Sequence, residues 1–402
     1  SNGKMIYAPI CASVNEVDPD GSYENPHLKV IPTLAERGVE VFWSDMDPQQ
    51  WYPIGFPDGT GTWEVDKAKY PNGLKPLGDL IKANGMQYLL WFEPERVHAD
   101  TRIDKEHPEY LMKRDNDVNH LYHLDNPEAR KWLTDYIDTT ISAAQLSWLR
   151  WDFNIQPLNF WRANDAPDRQ GITEIRYIEG LYAMWDDLKK RHPRLVIDNC
   201  ASGGRRIDLE TCSYGLPLWH SDRQCFGVDA AADQLQNVGL YRWITMHGCG
   251  NFGLEPSYLF RSGMTAGNIL CAGNGKGVLA TADDDSEEAV KKTVAIYKKL
   301  RPFMTGDFYP LFEYNTSNEV WYGYQFHRPD KNAGYAILFR REKCPEQSTK
   351  MKLNGIDLNS RYEISFEDSP EKYVKSGSEL SSLEVTINTA PESAIVYYKK
   401  VK

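Results

Sequence analysis

From residue 5 to about residue 300, short apolar runs alternate with longer amphipathic stretches; beyond residue 302 the amphipathic stretches stop. The apolar runs predict strands over residues 5–12, 39–44, 86–92, 148–153, 195–199, 216–221, 248–254 and 268–272. Between them the spacing predicts helices. Residues 26–37 stop at Gly38 and residues 74–84 at Gly85, the residue type that most readily ends a helix. Residues 126–144 open Asn-Pro-Glu-Ala, an N-cap followed by Pro at the first helical position. Residues 174–191 carry Ile175, Ile178, Leu181, Tyr182, Trp185 and Leu188 at helical spacing and stop before Pro193. Residues 286–300 begin Ser-Glu-Glu, acids that favour a helix N-terminus.

Eight strand–helix alternations predict a (β/α)₈ TIM barrel, a fold of about 250 residues plus insertions. A doubly wound nucleotide-binding sheet is disfavoured, because no Gly-x-Gly-x-x-Gly follows the first strand. The long connections 45–74 and 93–126 follow strand ends, and in a barrel such loops build the active-site face. After Arg301-Pro302, β-branched and aromatic runs at 319–326, 335–339, 362–366, 383–387 and 394–398 predict a small antiparallel β-sandwich. Asn354-Gly355 and Ser376-Gly377 supply turns between them. The expected division is a catalytic barrel over 1–305 and a C-terminal β domain over 306–402.

Hydrophobic residues make up 41% and aromatics 12%, enough for a sizeable core with aromatic faces left over for sugars. A net charge of −11, with no run of five Lys/Arg, argues against nucleic acid and anionic membranes and for a small neutral substrate. No stretch of 18 apolar residues is present, so no membrane span is expected. The opening Ser-Asn-Gly-Lys-Met reads as an artificial junction or a trimmed fragment, which leaves the compartment open between cytoplasm and periplasm. Seven widely spaced cysteines without a Cys-x-x-Cys pair predict mostly free thiols, no disulfide framework and no structural zinc. His220 and His247 are too isolated to suggest a metal site.

The candidate chemistry comes from position. Asp45, Glu93, Asp152, Asn199 and Asp222 each close a predicted strand, and strand ends in a barrel face one pocket. A single such acid is as readily a cap or an ion-pair member; five at one mouth point to catalysis. Arg150 and Asn154 flank Asp152 at spacing two, and a nearby cation keeps a carboxylate ionised, as a nucleophile requires. The bland alternative is an Arg–Asp pair joining strands. Asp222 is the partner acid, which needs a raised pKa; Arg223 is therefore expected to point away. Glu93 and Glu95 flank Pro94 beside Arg96 and read as structural before catalytic. The loop Asn199-Cys200-Ala201-Ser202-Gly203-Gly204-Arg205-Arg206 lets backbone approach a ligand; it lacks the Gly-Lys-Ser/Thr ending of a phosphate cradle.

Taken in order, these segments resemble glycoside hydrolase family 36, the α-galactosidase family. Leu90-Trp91-Phe92-Glu93-Pro94-Glu95 is similar to its Leu-Trp-Phe-Glu-Pro-Glu, and Arg150-Trp151-Asp152-Phe153-Asn154 to its Lys-Trp-Asp-Met-Asn. The 199–208 segment resembles its Asn-Cys-Ser-Gly-rich-Arg-Phe-Asp loop. Trp219-His220-Ser221-Asp222 resembles Trp-Thr-Ser-Asp, and Gly306-Asp307-Phe308-Tyr309 the junction to the C-terminal domain. The resemblance implies Asp152 as nucleophile and Asp222 as acid/base. It places Asp45, Trp91, Arg150, Asn154, Cys200, Gly203 and Trp219 around the sugar, with configuration retained and no cofactor. It also implies carboxyl groups about 5–5.5 Å apart.

Three positions depart from the family pattern. Its Asp-Asp pair is Asp45-Met46 here, with Asp47 as a compensating acid; its Lys before the nucleophile is Arg150; its acid after the acid/base is Arg223. The family usually carries a large N-terminal β domain, and this chain is expected to start at the barrel without it. The implied function is a retaining exo-α-galactosidase acting on a small oligosaccharide, with a homo-oligomer compatible. The alternatives are α-N-acetylgalactosaminidase or another α-glycosidase on the same barrel, or a non-catalytic carbohydrate-binding barrel.

Overall fold

The structure, a computed structural model, describes residues 7–13, 17–46, 50–227, 229–251, 257–270 and 284–401. Its residues divide into two compact units, Ile10–Arg223 with Ile269–Ala282, and Ser1–Pro9 with Gln224–Asn268 and Asp283–Lys402. Asp47 lies outside the described residues, as do parts of the first, seventh and eighth expected strands.

The first unit is built on parallel strands that neighbour one another in the order Ile10–Ser13, Val41–Ser44, Gln87–Phe92, Trp148–Trp151, Val196–Asn199 and Gly215–Leu216. Val41–Ser44 and Trp148–Trp151 are buried at every position, which explains why apolar residues fall on both faces of each strand rather than alternating. Helices Glu24–Glu36, Lys75–Ala83, Pro127–Ala144 and Ile172–Arg191 connect them. Gly38 and Gly85 take positive φ (88° and 73°) at the ends of the first two helices, as their sequence positions require. Asn126 caps the third, its side chain accepting from Glu128 N at 2.9 Å, with Pro127 next. A Cβ at Gly180 would lie 2.1 Å from the Leu124 carbonyl, so only glycine lets the Ile172–Arg191 helix approach that backbone.

Two features of this unit differ from expectation. The long 93–126 connection carries its own antiparallel sheet of Arg96–His98, Asn119–Tyr122 and Leu111–Met112. Its strands are two to four residues long, too short for a period-two signal. The strand expected over 216–221 stops at Leu216. Leu218 N donates to Asp198 Oδ1 at 2.9 Å instead of a neighbouring strand, and the chain enters a 3₁₀ turn at Asp222–Phe226.

The second unit contains strand Gly248–Asn251, helices Ala230–Tyr241 and Ser257–Ser262, and the described part of helix Asp284–Leu300. Its six-stranded antiparallel sheet runs Asp307–Pro310, Trp321–Arg328, Ala333–Arg340, Glu392–Lys400, Arg361–Phe366, Lys372–Ser376. Trp321, Leu338, Ile364 and Val396 face a core shared with the antiparallel pair Ser348–Met351 and Leu383–Thr386, the sandwich expected from the sequence. Phe326 packs instead on Tyr241 of the Ala230–Tyr241 helix at 4.8 Å. Ala333–Arg340 is buried at every position because both sheet faces are covered.

Candidate active site

The site lies in the first unit, where strand ends deliver polar side chains past the apolar sheet. Asp152 follows Trp148–Trp151 directly; its N–H still donates to Phe92 O at 2.8 Å, so the residue stays in register as the strand ends. It is 3% exposed. A carboxylate this deep must be compensated, and donors converge on it. Oδ2 accepts from Trp91 Nε1 (3.1 Å) and Asn154 Nδ2 (2.9 Å), and Oδ1 from the N–H of Phe153 (2.7 Å) and Ser202 (3.4 Å). Burial pushes its pKa up, but the Arg150 charge and these hydrogen bonds together hold it below the ordinary carboxylate value.

Arg150, in register with Trp91 on one neighbouring strand and Asp198 on the other, organises the floor. Its Nη1 donates to Asp198 Oδ2 at 2.6 Å and its Nη2 to Cys200 Sγ at 3.4 Å. Nε lies 3.1 Å from Asp45 Oδ2 without aiming its N–H there, so that pair acts by charge. The guanidinium stacks over Trp43 at 4.6 Å, with Trp219 at 5.9 Å. Asp45 is held by Trp43 Nε1 (2.5 Å) and by the Met46 N–H (2.7 Å).

Asp222 is partly exposed and accepts from Trp219 Nε1 at 3.0 Å. Burial and then the negative charge of Asp152 raise its pKa, while Trp219 and the Arg150 charge oppose the rise. Gly203 brings the 199–206 loop against this acid. Its φ is +75°, and a Cβ there would sit 2.6 Å from Asp222 N.

Asp152, Asp222 and the seven residues expected around the sugar all lie in this unit, linked as follows. Asp152 touches Trp91 and Asn154; Arg150 touches Cys200 and faces Asp45 and Trp219; Trp219 and Gly203 touch Asp222. Trp91 is fully buried and meets the site through its indole N–H. Asn199 is turned into the loop, donating to Arg206 O at 3.0 Å. Glu95 is wholly engaged by Trp151, Tyr177 and a bidentate Arg206 at 2.6 and 2.7 Å, so its role is structural. Arg223 N donates to Ser221 Oγ at 3.0 Å.

Asp198 and Trp43 were not among the expected residues, and Ser202 was expected only as part of the 199–206 loop. Asp198 is revealed by register alone, because it sits beside Arg150 only once the two strands are aligned. Among the described residues no group of three His, Cys, Asp or Glu is arranged to hold a metal. None of the described helices is long and apolar enough to cross a membrane. None of the six described cysteines is joined in a disulfide.

A sequence model of the melibiase family matches residues 22–306. The chain is 26% identical over 353 residues to alpha-galactosidase 1 of Pediococcus pentosaceus, covering 83% of this chain and 46% of that protein. It is 28% identical over 360 residues to alpha-galactosidase AgaA of Geobacillus stearothermophilus, covering 85% and 48%. The chain thus spans about half the length of these relatives. The crystal structure of an AgaA variant with raffinose superposes with a TM-score of 0.81 at 21% identity, over 98% of this chain and 56% of that one. The alpha-galactosidase of Lactobacillus brevis gives 0.83 at 22% identity, over 99% and 55%. These likenesses establish the fold, a (β/α)₈-type barrel followed by an antiparallel β-sandwich.

Proposed function

The chain belongs to the melibiase family, and from that premise we propose that it is a retaining exo-α-galactosidase, cleaving terminal α-linked galactose from small oligosaccharides. One observation carries the reading: two aspartates of one unit are driven in opposite directions, Asp152 down and Asp222 up, the second partly by the charge of the first. Double displacement needs that asymmetry. Asp152, ionised, attacks the anomeric carbon and forms a glycosyl ester while Asp222 gives its proton to the departing oxygen. Asp222, now a base, takes a proton from water, which attacks the same carbon and frees Asp152. Two inversions restore the starting configuration. Asp45, Arg150, Asn154, Cys200, Gly203 and Trp219 would line the sugar, with Trp91 supporting Asp152. The relatives named alpha-galactosidase, and the AgaA structure with raffinose, support the choice of galactose and of an oligosaccharide. A catalytic barrel over 1–305 and a β domain over 306–402 go with this reading, as does the family match ending at 306.

Azide rescue on a nitrophenyl α-galactoside tests the two roles together. Asp152→Asn should lose roughly 10³-fold or more in kcat. Azide entering from the vacated face should then give the β-galactosyl azide. Asp222→Asn still forms the glycosyl ester from a good leaving group, so azide should give the α-galactosyl azide. Normal turnover by Asp152→Asn, or the same azide anomer from both variants, rejects the assignment. A panel of nitrophenyl α-glycosides including the N-acetylgalactosaminide and glucoside tests the sugar; silence on galactoside alone rejects that choice.

A further inference from the structure

Glu93 takes no part in the two steps above, yet it is fully buried one strand away from Asp152. Its hydrogen-bond partners are all donors. Arg96 Nη2 reaches Oε2 at 2.6 Å, Asn154 N reaches Oε1 at 2.5 Å, and Asn154 Nδ2 reaches Oε2 at 3.3 Å. The same Asn154 nitrogen donates to Asp152 Oδ2 at 2.9 Å, and the Asn154 oxygen accepts from Ser202 Oγ at 2.8 Å. Two carboxylates on one side and a hydroxyl on the other leave the amide a single favourable orientation, nitrogen toward the carboxylates. Its two N–H bonds are then shared between Glu93 and Asp152.

Resting on the galactosidase reading of this site, we infer that Glu93 is a positioning residue: its ionised carboxylate holds the Asn154 amide nitrogen against Asp152, and protonation of Glu93 releases it. A proton on Glu93 finds no acceptor among Arg96, Asn154 N and Asn154 Nδ2, so gaining it breaks at least one of these bonds. Asp152 then loses one of the two donors on Oδ2 and the geometry from which it attacks. The charged groups facing Glu93 are Arg96, from the turn after its own strand, and Asp152, from the adjacent strand. Burial raises the Glu93 carboxyl to about 7, over the pull of Arg96 and with the push of Asp152, which puts the release in a reachable pH range.

The test uses the full chain and a nitrophenyl α-galactoside. Wild-type kcat should fall as pH drops through about 7. Glu93→Gln, which sets an amide N–H₂ among donors, should lower kcat roughly 10- to 100-fold, leave KM within about threefold and remove that limb. Glu93→Asp keeps the charge and should recover part of the loss. Unchanged kcat in Glu93→Gln, an effect on KM alone, or a wild-type profile without the limb overturns the inference. Carboxyl ¹³C spectra separate this from failure of the galactosidase reading. The Asp152 signal, identified by its loss in Asp152→Asn, should shift with a step near pH 7 in wild type and not in Glu93→Gln. Should wild type turn over no glycoside, that coupling alone decides, and an Asp152 signal indifferent to the step sinks the proposal. The wild-type titration serves equally if Glu93→Gln does not fold.

Discussion

Asp152 and Asp222 share a side chain and differ only in surroundings. Asp152 is buried among four donors and feels Arg150; Asp222 is half in solvent with one donor and feels Asp152. The two-residue spacing of Arg150 and Asp152 was legible in the sequence and gave the right direction for the Asp152 pKa. The route was not legible, since the Arg150 hydrogen bond goes to Asp198 and its influence on Asp152 is through space. The same environments shape stability against pH. Glu93, at about 7 in the fold and near 4.5 unfolded, binds its proton more tightly when folded, so its contribution is full below about 4.5 and lost as pH rises through 7. Asp152 has the opposite sign: its contribution is present above its unfolded value and lost as pH falls through the folded one. Urea unfolding of wild type should therefore weaken by about 3 kcal/mol between pH 4.5 and 8 from Glu93 alone. The Glu93→Gln variant should lack this slope; parallel slopes would contradict the buried carboxyl's raised pKa.

At the scale of elements, strands and long helices were legible because their signals are local: buried strands as apolar runs, helices as periodic faces with Asn126 and Gly85 at their ends. The short insertion strands and the early end of the sixth strand were not, because each depends on a partner well separated along the chain. The 199–206 loop is the element whose geometry matters most to the site. Gly203→Ala places a methyl group against the Ser221–Asp222 backbone at a positive φ. The expected result is a roughly tenfold or greater loss of kcat/KM with a circular dichroism spectrum unchanged and a stability cost of about 1–3 kcal/mol. Wild-type activity in Gly203→Ala would mean that the loop does not set the position of Asp222.

For the whole molecule, net charge makes a separate prediction. With a charge of −11, the protein should treat an uncharged galactoside alike at low and high salt, with kcat/KM changing by less than roughly twofold. A substrate carrying a carboxylate on its leaving group should be repelled at low salt and improve as salt screens the field. Equal salt responses would show that long-range charge does not reach the site. The alternation of apolar runs and amphipathic segments, the change of texture after residue 302 and the acids at strand ends determined fold class and candidate chemistry without coordinates, because burial and periodicity are written residue by residue. Tertiary structure alone decided that Asp198 anchors Arg150, that Asn154 is shared between two carboxylates, and that helix Ala230–Tyr241 packs on the C-terminal sheet. Each of these turns on a contact across tens of residues (Arg150 with Asp198, Asn154 with Glu93, Tyr241 with Phe326), set by strand register and close packing, and no local pattern encodes it.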